Sequence, residues 1–130
     1  MVTASIPTIA VFPEEKLTQT QKIEKWVWQL TQSLEDNYLL RYPDSDYPVR
    51  FRMEFGRKYI KVIQQDLRDG GYRDGGVHAF IDKNTGEVYK PASWKSPAKI
   101  VRYDLRVIND REKLTDPRFT DWAGGYLYLR

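Results

Sequence analysis

The chain has 130 residues, 41% hydrophobic and 30% charged, with a formal charge of +3 and no cysteine. That length suits one domain around one core, and the lack of cysteine excludes disulfide frameworks, thiol catalysis and Cys-rich zinc sites. No stretch reaches the roughly 18 apolar residues of a transmembrane helix, and the first residues lack a basic n-region and are broken by Pro7, so the expected location is the cytoplasm. The charge is sorted: residues 1–47 carry four Lys/Arg against seven Asp/Glu, residues 48–102 twelve against six, and residues 103–130 five against five. Such asymmetry marks a surface for a polyanion, or a pairing of the two segments with each other.

Residues 1–13, with two prolines among Ile6, Ile9, Val11 and Phe12, suggest an extended N-terminal arm. Two helix entrances follow, one at Pro13, Glu14 and Glu15, the other a capping box of Thr18 with Gln21. Ile23, Trp26, Val27, Leu30, Leu34 and Tyr38 fall on one helical stripe, which predicts a long helix ending near Leu40, before Pro43 and Pro48. Trp28 lies off the stripe, available to a partner protein or packed under the arm.

From Pro48 the period becomes two. Val49, Phe51, Met53 and Phe55 alternate with Arg50, Arg52 and Glu54, and a second run spans Lys58 to Gln64, which predicts a hairpin turning at Gly56-Arg57. Counting back from a two-residue turn sets Phe55 opposite Lys58, Met53 opposite Ile60, Phe51 opposite Val62 and Arg52 opposite Lys61. Four glycines and three aspartates between Asp66 and Gly76 predict a mobile loop. A second hairpin is predicted from Val77–Asp82 and Glu87–Lys90, turning on Lys83-Asn84-Thr85-Gly86 with a left-handed glycine. Ser96-Pro97 predicts a short helix reaching about Tyr103. Asp116-Pro117 repeats that signal, and Tyr126–Leu129 suggests a last strand. The expected fold is one α+β domain, residues 1–130, with an antiparallel sheet of four to five strands packed on the long N-terminal helix and a short helix after the second hairpin.

Catalytic motifs are missing: there is no phosphate loop, no Gly-x-Ser-x-Gly elbow and no His-Glu-x-x-His helix. His78 is the one histidine, so a two-His metal site cannot form within the chain, and its mid-strand position suits a structural role. Glu54, Asp82 and the aspartates at 66, 69 and 74 leave a small metal-dependent hydrolase as a third possibility, although their spacing does not match an EF-hand loop. No cofactor or metal is expected.

Two basic sets stand out. The predicted register puts Arg52 against Lys61, with Arg50 beside them and Arg57 and Lys58 at the turn; such like-charged pairs suit a bridging anion or two side chains splayed into water. Lys90, Lys95, Lys99 and Arg102 surround Trp94, which suits a ring stacking on an unpaired base with phosphates on the cations, or equally an anchor for an irregular loop. The favoured function is non-enzymatic contact with nucleic acid, single-stranded, through these ten residues. The alternative is a protein-interaction module, either an inhibitor of a host protein or a homo-oligomeric component.

The segments Phe55-Gly56-Arg57-Lys58-Tyr59-Ile60-Lys61-Val62 and Val77-His78-Ala79-Phe80-Ile81-Asp82-Lys83-Asn84-Thr85-Gly86-Glu87-Val88-Tyr89-Lys90-Pro91-Ala92-Ser93-Trp94-Lys95 resemble a group of small tailed-phage proteins, including those of cyanophages. The resemblance covers about residues 48–103. It implies a phage setting, a host-cell cytoplasm and a role in early infection, and it carries over no catalytic residue.

Overall fold

The structure, a computed structural model, describes residues 6–129. Residues 1–5 of the expected arm lie outside them, and the described part of the arm is not simply extended, because Thr8–Val11 form a single helical turn, α1. Of the two helix entrances, Glu14–Lys16 make only a 3₁₀ turn, and the helix proper, α2, runs Gln19–Arg41 from the later one. Thr18 and Gln21 cap it reciprocally: the Gln21 amide donates to Thr18 Oγ1 at 3.2 Å and the Thr18 amide donates to Gln21 Oε1 at 2.9 Å. This arrangement satisfies two orphan donors of the first turn. Ile23, Trp26, Val27, Leu30 and Leu34 are buried as the stripe predicts.

Five antiparallel strands follow in simple meander order: β1 (Arg50–Phe55), β2 (Tyr59–Arg68), β3 (Gly71–Asp82), β4 (Glu87–Pro91) and β5 (Pro97–Asp104). One sheet face packs on α2, with Phe51, Ile60, Val62, Ala79, Ile81 and Val88 in a single core with the helix stripe. The architecture is therefore the expected α+β arrangement of a long N-terminal helix, a five-stranded antiparallel sheet and a short helix. That helix is α3 (Ile108–Leu114), after β5.

The first hairpin forms in a register two residues from the expected one. Phe55 faces Ile60, Glu54 faces Lys61, Met53 faces Val62 and Arg52 faces Ile63, and Arg57-Lys58 form the bend, closed by the Gly56 amide donating to Tyr59 O at 2.8 Å. A slip of two leaves Phe51, Met53, Ile60 and Val62 on the same face, so the hydrophobic pattern cannot separate the two registers. Charge separates them: the observed register faces Glu54 with Lys61, where the expected one faced Arg52 with it.

The glycine-rich stretch is not a loop. β2 and β3 run through it to a two-residue turn at Asp69 (φ 43°) and Gly70 (φ 87°), the doubly positive pattern of a type I′ hairpin. Two β-bulges bend β3 along the way. Val62 faces Ala79 but Ile63 faces Val77, which leaves His78 as an extra residue; Gln64 faces Gly76 but Gln65 faces Asp74, which leaves Gly75 as another. The second hairpin is as expected, with Gly86 at φ 78° and the Asp82 carboxylate accepting from the amides of Asn84 and Thr85.

Where Ser96-Pro97 predicts a helix, the chain forms β5. Ser93 Oγ accepts from the Lys95 and Ser96 amides, and the Ala92 amide donates to Ser96 O, which closes a tight loop and returns the chain antiparallel. The β-branched Ile100 and Val101 then favour extended backbone over helix. The C-terminal segment is likewise not a strand: Asp116 opens a single turn, and Gly125–Leu127 form a 3₁₀ turn whose Tyr126 and Leu127 are buried. Both sheet edges carry a side-chain cap. Glu35 on α2 accepts from the β1 amide of Phe51 at 2.9 Å, and Asp110 on α3 accepts from the β5 amide of Asp104 at 2.9 Å. Among the described residues, no helix is long and apolar enough to cross a membrane.

Candidate nucleic-acid interface

The sheet face turned away from α2 carries a cross-strand row. Glu54 on β1 faces Lys61 on β2, Lys61 faces Phe80 on β3, and Phe80 faces Tyr89 on β4. Tyr59 stands beside the row, its ring edge-on to Phe80 at 5.7 Å and to Tyr89 at 6.1 Å. Phe80 is buried beneath this layer, with Lys61 Nζ 5.7 Å from its ring centroid. The loop between β4 and β5 reaches back over the same face, so that Lys61 Nζ also lies 5.4 Å from the centroid of Trp94. The two basic sets thus meet, with Lys61 held between two aromatic rings. Trp94 remains 45% exposed.

The ten predicted residues divide by what already holds them. Arg52 makes a fork to Asp74, Nε to Oδ1 at 2.9 Å and Nη2 to Oδ2 at 2.7 Å, and also donates to Glu54 at 3.1 Å. Hydrogen bonds from Arg52 and then from Gln65 lower the Asp74 carboxyl to about 2, and Asp74 in turn raises the Arg52 guanidinium above its ordinary value. The like-charged pair of Arg52 and Lys61 therefore does not form: Arg52 faces Ile63 and is matched by two carboxylates, and Lys61 has Glu54 at 3.9 Å. Arg50 stacks on the Tyr72 ring at 3.9 Å, and Tyr72 is itself fixed by donating to Pro48 O at 2.7 Å.

Lys90 and Arg102 belong elsewhere. Lys90 comes two residues after the core residue Val88, so it lies on the helix-side face, with Nζ 4.8 Å from the Tyr128 ring. Arg102 donates from Nε to Leu127 O at 2.6 Å and from Nη1 to Ile100 O, so its charge holds the C-terminal segment against β5. Arg57, Lys58, Lys95 and Lys99 are exposed at the hairpin turn, the β4–β5 loop and β5, with Lys58 Nζ 5.4 Å from the Tyr59 ring.

Sequence reasoning missed Tyr59 and Tyr89. Their signal was parity: Tyr59 is two residues from Lys61, and Tyr89 alternates with core residue Val88, so both belong on the outer face. The carboxylates considered for metal chemistry have structural partners. Glu54 and Asp74 hold Arg52, Asp82 caps its turn, and Asp66 receives Gln64 Nε2 at 3.1 Å, while Asp69 occupies the type I′ turn. Among the described residues, no three His, Asp or Glu side chains converge as a metal site would require.

A small α+β domain with an aromatic, basic outer sheet face is thus the class of protein the fold defines. Residues 10–129 match DUF7717, a family of unknown function, and the chain belongs to that family. No curated protein and no solved structure matches it.

Proposed function

We propose that this protein is a non-enzymatic accessory protein of a tailed phage, acting in the host cytoplasm, that contacts single-stranded nucleic acid through the outer face of its sheet. The observation that carries the reading is the position of Lys61 against Trp94, which joins an exposed tryptophan to the row of Tyr59, Phe80 and Tyr89. Aromatic side chains on an antiparallel sheet offer bases a π-face without demanding sequence, and flanking cations take phosphates. Trp94 stacks a base, and Arg57, Lys58, Lys95 and Lys99 meet the backbone. Arg50, Arg52 and Lys61 position the face. The phage setting rests on the resemblance over residues 48–103.

The residues already committed set the salt dependence. With four exposed cations on the strip, log Kobs against log salt for a single strand has a slope of roughly −2 to −3. Titrating the protein's tryptophan fluorescence with single-stranded and duplex oligonucleotides at several salt concentrations tests this. Quenching by single strands, weaker with duplex and lost as salt rises, is expected; equal response to duplex, or none at low salt, contradicts it. A protein-interaction module is the second reading, favoured by Leu40, Tyr42 and Tyr47, exposed at and just beyond the C-terminal end of α2. Affinity purification from nuclease-treated host lysate separates the two, because only a protein partner survives.

A further inference from the structure

The bulges of β3 have a common destination. His78 and Gly75, the two residues left unpaired by the register shifts, both line one cleft between the bent end of the β2–β3 hairpin and the C-terminal segment. Its volume is about 400 Å³, within the roughly 300–1,000 Å³ typical of small-molecule sites. Bulges recur beside functional sites because they re-aim a side chain. Here the first turns His78 to the helix side, where its ring sits edge-on to Phe51 at 5.2 Å and its Nε2 lies 2.8 Å from the Tyr126 hydroxyl. The cleft is therefore on the face opposite Trp94 and stands whether or not the outer face binds a strand.

Glycines stand close to its polar wall. A Cβ on Gly75 would meet Asp66 Oδ2 at 2.6 Å, and one on Gly124 would approach His78 Cε1 at 3.9 Å. Around the opening, Lys90 lies against the Tyr128 ring and donates from Nζ to a carbonyl, Pro91 O at 3.4 Å, rather than to a carboxylate. Arg68 also lines the cleft, 3.6 Å from Asp66, whose other oxygen receives Gln64. Lys90 and Arg68 bring two cations to the lining, with the Asp66 carboxylate beside Arg68 and that of Asp121 near His78, so among the described residues Lys90 is the cation of the cleft without a carboxylate partner. Tyr128 and Trp122, whose ring also packs on Tyr38 and Tyr42, line the wall.

We propose that this cleft binds a small planar anion of mononucleotide size, its ring against Trp122 and Tyr128 and its phosphate or carboxylate on Lys90 and Arg68. Lys90 then serves this site and not the outer strip, although both were one basic cluster in sequence.

The test is an amide-detected NMR titration of the intact chain with AMP as probe, run beside adenosine and inorganic phosphate. AMP is expected to shift the amides of Gly75, Gly76 and Gly124 saturably at or below about 1 mM, with either fragment at least about tenfold weaker. Lys90→Gln should weaken AMP at least about fivefold, whereas Lys95→Gln, on the loop beside Trp94, should leave it unchanged. The proposal is overturned by the absence of saturable shifts at those glycines, by shifts confined to the outer face, by phosphate binding as tightly as AMP, or by a Lys90→Gln protein that binds as the parent does.

Discussion

The imidazole of His78 is buried, and that burial lowers its pKa to about 4, with Asp121 acting in the opposite sense. The folded protein holds this side chain neutral while the unfolded chain, with an ordinary value near 6.5, takes up a proton. Its contribution is therefore complete above pH 6.5, falls as pH drops, and levels off near pH 4. Urea unfolding should show a loss of roughly 1–2 kcal/mol between about pH 7.5 and pH 5. His78→Gln should flatten that dependence. Tyr126→Phe removes the hydroxyl facing Nε2 and should cost about 1–3 kcal/mol at neutral pH. A parent protein whose stability does not change over this interval would show that the imidazole is not held neutral in the fold. Sequence alone indicated that His78 was structural, because a lone histidine mid-strand has no metal partner. It did not indicate Tyr126 as the partner, since a contact across 48 residues leaves no local mark.

Among the elements, the C-terminal segment depends most on a few polar side chains. Asn37 on α2 donates from Nδ2 to Pro117 O at 2.8 Å and accepts from the Trp122 amide at 3.0 Å, and one turn earlier the hydroxyls of Ser33 and Thr120 lie 2.7 Å apart. Asn37→Ala leaves a half-buried carbonyl and a half-buried amide without their partner, and should destabilise the fold by about 1–3 kcal/mol in chemical denaturation. Amide exchange should rise first in residues 117–127. A cost below about 0.5 kcal/mol would mean that the segment is held by Tyr126 and Leu127 alone.

The long helix was legible because its stripe and its capping box agree, and both hairpins were legible from alternation. What misled were signals that carry two meanings. Glycine content suggested a loop from Asp66 to Gly76, yet Gly70 completes a type I′ turn and Gly75 sits at a bulge. The dipeptide Asp69-Gly70 was the stronger signal. Ser96-Pro97 suits a helix start and equally a strand whose first residue need not donate, and Ile100 and Val101 decide for the strand. At the candidate interface, Lys61 and Trp94 were each visible as basic or aromatic residues, but their contact depends on how far the β4–β5 loop reaches back. Lys90, by contrast, follows the core residue Val88 by two, so parity places it on the helix side, and Arg102 is the extra residue of a bulge in β5, which alternation does not reveal.

For the whole molecule, the excess of lysine and arginine between residues 48 and 102 does not amount to one uniform patch. Part of it neutralises the sheet's own carboxylates at Arg52, part anchors the C-terminal segment at Arg102, and part opens onto a cleft at Lys90. Lys61 lies against Trp94, and the exposed Arg57, Lys58, Lys95 and Lys99 complete the proposed strip. With both sheet edges capped by Glu35 and Asp110, growth of the sheet by strand pairing with a second copy is disfavoured. On the proposed function, the face rather than the edge is the surface offered to a partner. The most direct test of that claim is fluorescence anisotropy of a labelled oligo-dT strand at low salt, comparing the parent with Trp94→Ala and with Lys90→Gln. Loss of one stacking ring should weaken binding by about 1–3 kcal/mol, roughly five- to a hundredfold, whereas Lys90→Gln should bind like the parent. Binding that is absent at low salt, or that survives Trp94→Ala unchanged, would contradict the account.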